Sequence, residues 1–287
     1  MKKPLFVAAL LAASASAQAA WVTTDLGEGV FPNLTGVNGT VIGGRDMADR
    51  WAAFRTTPAG VQNLPLTDTG YSRPTAINGL GHITGYAYKT SGKGYGFLYR
   101  DGVVTELSLG GDYVYAPLVN NAGLVAGAGL LPDNTDMHAF TYNRGTLTTL
   151  PISGPELEVT GLNASGQILG HGIPVGNGSH TFLYSDGTVT DLGTVPGYTH
   201  SVATAINDAG QVAGWAGMDT WYPLRAFRYS GGVLTDLGTL GGPTSGALAI
   251  NGKGHVVGLA DTGQAYLFHA FCTMAKKWWT WARWAAI

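Results

Sequence analysis

The sequence predicts an all-β fold, a β-propeller-like array of about six four-stranded repeats of 40–45 residues. Three observations carry this expectation. A phrase built on Asn and Gly recurs as AINGLGHITG from Ala76, LVNNAGLVAG from Leu118, GLNASGQILG from Gly161, AINDAGQVAG from Ala205 and AINGKGHVVG from Ala249, with a shortened form, GVNGTVIGG, from Gly36. A second phrase keeps step with it and ends on Phe54, Phe97, Phe140, Phe182, Phe227 and Phe271. Finally, Asn38, Asn78, Asn120, Asn163, Asn207 and Asn251 are 40, 42, 43, 44 and 44 residues apart, the size of one propeller blade.

Within a unit the elements follow in order. TAIND, QVAGWA, RAFRY and VLTDLG read as four short strands of partly alternating apolar and polar residues. Asn and Gly three apart suit the first and last corners of a type I turn, so NDAG closes the first hairpin. RDG at 100–102, NRG at 143–145, SDG at 185–187 and SGG at 230–232 supply the Gly of a second tight turn. A strand count supports a ring. WVTTDLG at 21–27 matches a fourth strand but precedes the first unit, whereas the sixth unit runs out after its third strand at Phe271. The N-terminal strand is therefore expected to complete the last of six blades and hide the edges that an open array leaves. The competing architecture is an open β-solenoid, which has the same period.

The ends differ from this body. Residues 1–19 have a basic start at Lys2 and Lys3, an apolar run from Leu5 to Ala13 and small residues before a cut after Ala19, the pattern of a secretory signal peptide too short to span a bilayer. A secreted, periplasmic or extracellular location follows. Five of the 16 basic residues lie in the two ends, so residues 20–271 hold 11 against 18 acids, a formal charge of −7. Without a basic stripe such a surface has no footprint for nucleic acid. The body contains no Cys, so neither disulfides nor thiolate metal sites hold it together, and at this length a core alone suffices.

The phrase AINDAGQVAG, then HAF followed by TY or LY, then TDLGTLGG, resembles the HAF-family extracellular repeat proteins of bacteria over essentially all of residues 21–271. The resemblance implies a secreted β-repeat fold and brings no assigned reaction. The first unit departs most, with its shortened Asn turn and WAAF in place of the His phrase.

Residues 272–287, CTMAKKWWTWARWAAI, hold four of the eight Trp, the only Cys and none of the 44 Gly. Trp and Met each have a single codon, so much of the underlying DNA is determined. Read one frame over, it can encode VYDGEKMVDLGSLGGD, which aligns without gaps to the residues after Phe227, with forced Gly, Asp, Gly and Gly on Gly231, Asp236, Gly238 and Gly241. The tail therefore reads as a frameshifted stretch of repeat. The rival is an amphipathic interfacial segment, in which the Trp residues act with Lys276, Lys277 and Arg283.

Little catalytic chemistry is written in the chain. His138, His180 and His269 share one repeat position, and His82 and His255 another where sister units have Gln167 and Gln211, as inter-strand hydrogen-bonding pieces do. His171 and His200 are off register without a ligand spacing. Asp25, Glu106, Asp191 and Asp236 recur and read as structural, and Asp133–Asp136 as a solvated turn rather than a Ca²⁺ loop. No nucleophile motif, phosphate loop or dinucleotide fingerprint is present, and no metal or cofactor is implied. What varies is the loops from second to third strand and from fourth strand to the next blade. Tyr113, Tyr115, Tyr198, Trp221 and Tyr222 lie there, placed to stack on a glycan or dock a cell-surface protein, or simply to pack. The expected function is a non-catalytic secreted binding or surface scaffold. The alternative is an enzyme acting on extracellular polysaccharide, which needs a pair among off-register acids such as Asp112, Glu156 and Asp219.

Overall fold

The structure, a computed structural model, describes residues 26, 28–36, 39–48, 50–132, 135–176, 178–218, 223–264, 267–274 and 277–280. These residues form strands and turns without a helix, so no helix is long and apolar enough to cross a membrane. Twenty-four strands fall into six blades. The first holds β1 (Val30–Thr35), β2 (Val41–Asp46), β3 (Trp51–Thr57) and β4 (Gly60–Asn63). The second holds β5 (Thr69–Ile77), β6 (Ile83–Lys89), β7 (Gly94–Arg100) and β8 (Val103–Leu107), the third β9 (Val114–Val119), β10 (Val125–Leu130), β11 (Met137–Asn143) and β12 (Thr146–Gly154). The fourth comprises β13 (Glu158–Leu162), β14 (Ile168–Val175), β15 (Gly178–Ser185) and β16 (Thr188–Asp191), the fifth β17 (His200–Ile206), β18 (Val212–Gly217), β19 (Leu224–Ser230) and β20 (Val233–Gly238). The last is β21 (Ser245–Ile250), β22 (Val256–Asp261), β23 (Phe268–Met274) and β24 (Lys277–Thr280). Within each blade the strands pair antiparallel in sequence order, and first strands of neighbouring blades lie side by side.

Each repeated phrase has a mechanical reason. In NGLG, NAG and their sisters the Gly N–H donates to the Asn carbonyl, and Gly81, Gly123, Gly166, Gly210 and Gly254 all lie in the left-handed region, φ +71 to +83°. This is a type I turn followed by the bulge that only a residue free to take positive φ closes at no cost. The Asn side chain does more. Its Oδ1 accepts the N–H four residues on, as Asn163 does from Gln167 at 2.9 Å. Its Nδ2 donates to the Asn carbonyl of the next blade: Asn78 to Asn120 (2.9 Å), Asn120 to Asn163 (3.0 Å), Asn163 to Asn207 (3.1 Å) and Asn207 to Asn251 (2.8 Å). One amide per blade thus ties the array together. In the first unit Gly36, not Asn38, makes the equivalent bonds to Thr40 and Gly39, so the turn has full length and lacks only the amide.

The Phe phrase fills the core. Phe54, Phe97, Phe140, Phe182, Phe227 and Phe271 are all buried, and each stands opposite the residue nine positions later on the fourth strand. The ring lies over the Gly of the second strand: a Cβ on Gly170 would meet Phe182 Cζ at 2.5 Å and the Glu158 carbonyl at 2.2 Å. The second hairpin is a two-residue turn with both residues at positive φ, as at Asp101–Gly102, Arg144–Gly145, Asp186–Gly187 and Gly231–Gly232, the type I′ geometry that matches strand twist.

The recurring His and acids hold the blades, as the sequence suggests. His180 meets Asp191 at 3.0 Å and Arg225 meets Asp236 at 3.2 Å across the outer strand pair. Gln167, Gln211 and His82 receive the ladder amides at 2.7, 2.8 and 3.2 Å. Between blades Ser72, Ser201 and Ser245 accept the N–H groups of Ala53, Thr181 and Ala226. Replacing Ser201, fully buried, by Ala strands the Thr181 N–H, and a loss of about 1 to 3 kcal/mol is expected in chemical denaturation.

Two expectations about the ends change. The fourth strand of the sixth blade is β24, from the Trp-rich tail, with Thr280 opposite Phe271 as Asp236 is opposite Phe227. The place expected for an N-terminal closing strand is therefore filled, and residues 21–25 lie outside those described, as does the signal segment. The array is open among the described residues: no strand of the sixth blade pairs with the first. Val257 on β22 is 42% exposed, whereas Ile42, Thr84, Ala126, Leu169 and Ala213, at its register position in the other blades, are covered by the following blade.

Candidate functional site

Two facing positions of each blade vary widely from unit to unit. They lie five residues before and eight residues after the ladder Asn, and they face each other as Cα partners on the first two strands. The pairs are Arg73 with Tyr86, Tyr115 with Ala128, Glu158 with His171, and Val202 with Trp215. They sit on the face of the variable loops.

A cleft of about 480 Å³ opens there, lined by Tyr113, Tyr115, Met137, Pro155, Glu156, Leu157, Glu158, His171, Ser179, His200, Val202 and Trp215 from blades three to five. Blade four supplies its polar floor through a local irregularity. Between His171 and Ile173 the pairing of β14 with β15 slips by one residue, at Gly172 with φ +99°. No other second strand slips against its third strand. A Cβ on Gly172 would lie 2.3 Å from the Glu156 carbonyl, so the loop carrying Glu156 closes over this bulge. Bulges of this kind re-aim the side chain beside them.

His171 Nε2 stands 3.7 Å from Glu158 Oε2, too far for a hydrogen bond, and its Nδ1 is buried without a partner. Burial lowers the pKa of His171 to about 4 and raises that of Glu158 above the ordinary carboxylate value. The imidazole is therefore neutral at pH 7. Tyr115 is raised by burial first and then by Glu158, Tyr113 and Tyr86, with Arg73 opposing. His200 Nδ1 lies 3.1 Å from the Met218 carbonyl and 2.9 Å from Thr199 Oγ1. Among the described residues no three His, Cys, Asp or Glu gather as a metal site.

The cleft continues into a row of rings. Phe31 meets Trp51 (5.0 Å between centroids), Trp51 meets Tyr71 (6.5 Å), Tyr71 meets Tyr86 and Tyr88 (6.0 and 6.1 Å), and Tyr88 meets Tyr113 (6.4 Å) at the cleft wall. Of the loop aromatics singled out in the sequence, Tyr113 and Tyr115 line the cleft, whereas Tyr198 packs on the core beside Leu192 and Val195. Trp221, Tyr222 and Asp219 lie outside the described residues. Glu156 reaches the cleft, while Asp112 is exposed and 3.7 Å from Lys93. Sequence reasoning missed Glu158, Trp215 and the ring row, and dismissed His171 and His200 for want of a ligand spacing. The signal for the first pair was internal: the two lip positions vary widely from unit to unit.

No family model and no curated protein sequence matches the chain. Solved structures do. The β-propeller domain of the trilobed protease from Pyrococcus furiosus, of open velcro topology, is 10% identical with a TM-score of 0.59 over 87% of this chain and 80% of that one. Dipeptidyl peptidase 4 of Porphyromonas gingivalis is 12% identical, TM-score 0.62, over 86% of this chain and 44% of the peptidase. TolB from Acinetobacter baumannii is 13% identical, TM-score 0.50, over 82% and 60%. At these identities the likeness shows the fold, a β-propeller.

Proposed function

We propose that this protein is a non-catalytic extracellular binding scaffold of the HAF-repeat kind, and that the cleft and ring row of its loop face take a glycan. The observation that carries the reading is the face itself: six rings in contact from Phe31 to Tyr113 run into a cleft walled by Tyr115 and Trp215, with Glu158, His171 and Ser179 beside them. Flat rings with polar neighbours suit sugars, which present apolar C–H faces and hydroxyl edges together. Tyr113→Ala combined with Trp215→Ala is expected to weaken binding of a soluble glycan about thirtyfold, at about 1 kcal/mol per lost ring contact. Isothermal titration calorimetry checks this, and unchanged affinity counts against the reading.

One observation favours hydrolysis instead. Glu158 holds its proton above the ordinary carboxylate value in a cleft that a second carboxylate, Glu156, also lines, as a general acid and its partner require. Reducing ends released from a polysaccharide by the wild type but not by Glu158→Gln would establish that reading. Release by neither supports the scaffold.

A further inference from the structure

The charges of the cleft say which glycan. Two carboxylates, Glu156 and Glu158, line it, and His171 contributes none at neutral pH. No Lys or Arg is among its lining residues. Of the nearby cations, Lys89 lies 3.0 Å from Glu106 and Lys93 3.7 Å from Asp112, while Arg73 stands by Tyr71 on the second blade and acts on Tyr115 from behind the cleft wall. Glu158 is half withdrawn from water, and among the described residues its ionisable neighbour is the neutral imidazole at 3.7 Å. A carboxylate so placed lacks the positive partner that offsets its desolvation. The rings add to the same preference, since their faces are negative and attract cations. Among the described lining residues a uronic acid or sulfated sugar would meet two carboxylates and no Lys or Arg.

We propose that the cleft recognises an amino sugar, its ammonium group held by Glu158 and the aromatic walls. The inference rests on the glycan reading above. Calorimetry near pH 6, where His171 stays neutral, compares a β-1,4-linked glucosamine trimer with the corresponding glucose trimer, which differs only in carrying hydroxyl for amino groups. The amino trimer is expected to bind at least about tenfold more tightly and to lose affinity as salt rises. Glu158→Gln, nearly isosteric, is expected to bring the affinities of the two trimers to within about threefold of each other. Glu156→Gln is the second variant should the first fold poorly, and is expected to act in the same direction. Equal binding of both trimers by the wild type overturns the amino-sugar inference and leaves the glycan reading standing. Binding of neither overturns both. A lysine tripeptide that binds where neither trimer does shows a cation site that serves peptides, which also overturns the proposal.

Discussion

Asn163→Ala is expected to cost about 2 to 4 kcal/mol of stability and about 5 to 15 °C in Tm. Asn163 is 4% exposed. Its Oδ1 accepts from Gln167 N, and its Nδ2 donates both to Gln167 Oε1 at 2.7 Å and to the Asn207 carbonyl of the next blade at 3.1 Å. Alanine removes all three. The Asn207 carbonyl keeps its bond from Gly210, and the Gln167 amide can turn to water, so the Gln167 N–H bears most of the loss. Asn251→Ala is the control. There the ladder ends, the residue is exposed, and Nδ2 reaches only His255 at 3.5 Å, so the expected cost is below about 1 kcal/mol. Equal losses in the two variants would show that the amide serves its own turn and does not brace the next blade. A large difference measures the burial and the inter-blade bond that Asn163 has and Asn251 lacks, since both side chains accept the N–H four residues on.

The ladder also shows how far the sequence can be read. A residue kept in every unit has a framework role, and Asn, the following Gly and the Phe announce a turn, a bulge and a core ring at one fixed spacing. Their partners across blades are invisible, because 42 to 44 residues of separation carry no local pattern. Gly36 illustrates the limit. Alignment by residue type puts Asn38 in the series, whereas the hydrogen bonds put Gly36 there, since the turn is recognised by backbone geometry and not by the amide. The β24 segment illustrates it again: its composition argues against a strand of this repeat, yet a third strand with a free edge accepts an extended segment whatever its composition. The site was legible in kind and not in place. Loop aromatics on one face could be named, and two of them line the cleft. The pairing of Glu158 with His171 follows only from the register of β13 and β14, and the bulge at Gly172 leaves no mark but a glycine among 44.

Between about pH 6.5 and pH 4 the protein is expected to lose about 3 kcal/mol of stability through His171 alone. Burial holds its folded pKa near 4, below the value of about 6.5 that it regains on unfolding. In that window the unfolded chain carries a proton that the folded one does not, so stability is full above the unfolded value and drains as the pH falls through the folded one. Glu158 works in the opposite sense. Its folded pKa is raised, so the folded protein takes up that proton first, and acidification relieves the cost of keeping a desolvated carboxylate. His171→Gln is therefore expected to flatten the fall of Tm with acid, and Glu158→Gln to steepen it. The two variants separate histidine from carboxylate, which a single pH profile cannot. An NMR titration of the His171 ring with its midpoint near 4 tests the cause directly. A midpoint near 6.5 would mean that water reaches the floor of the cleft, and neither slope change would then follow.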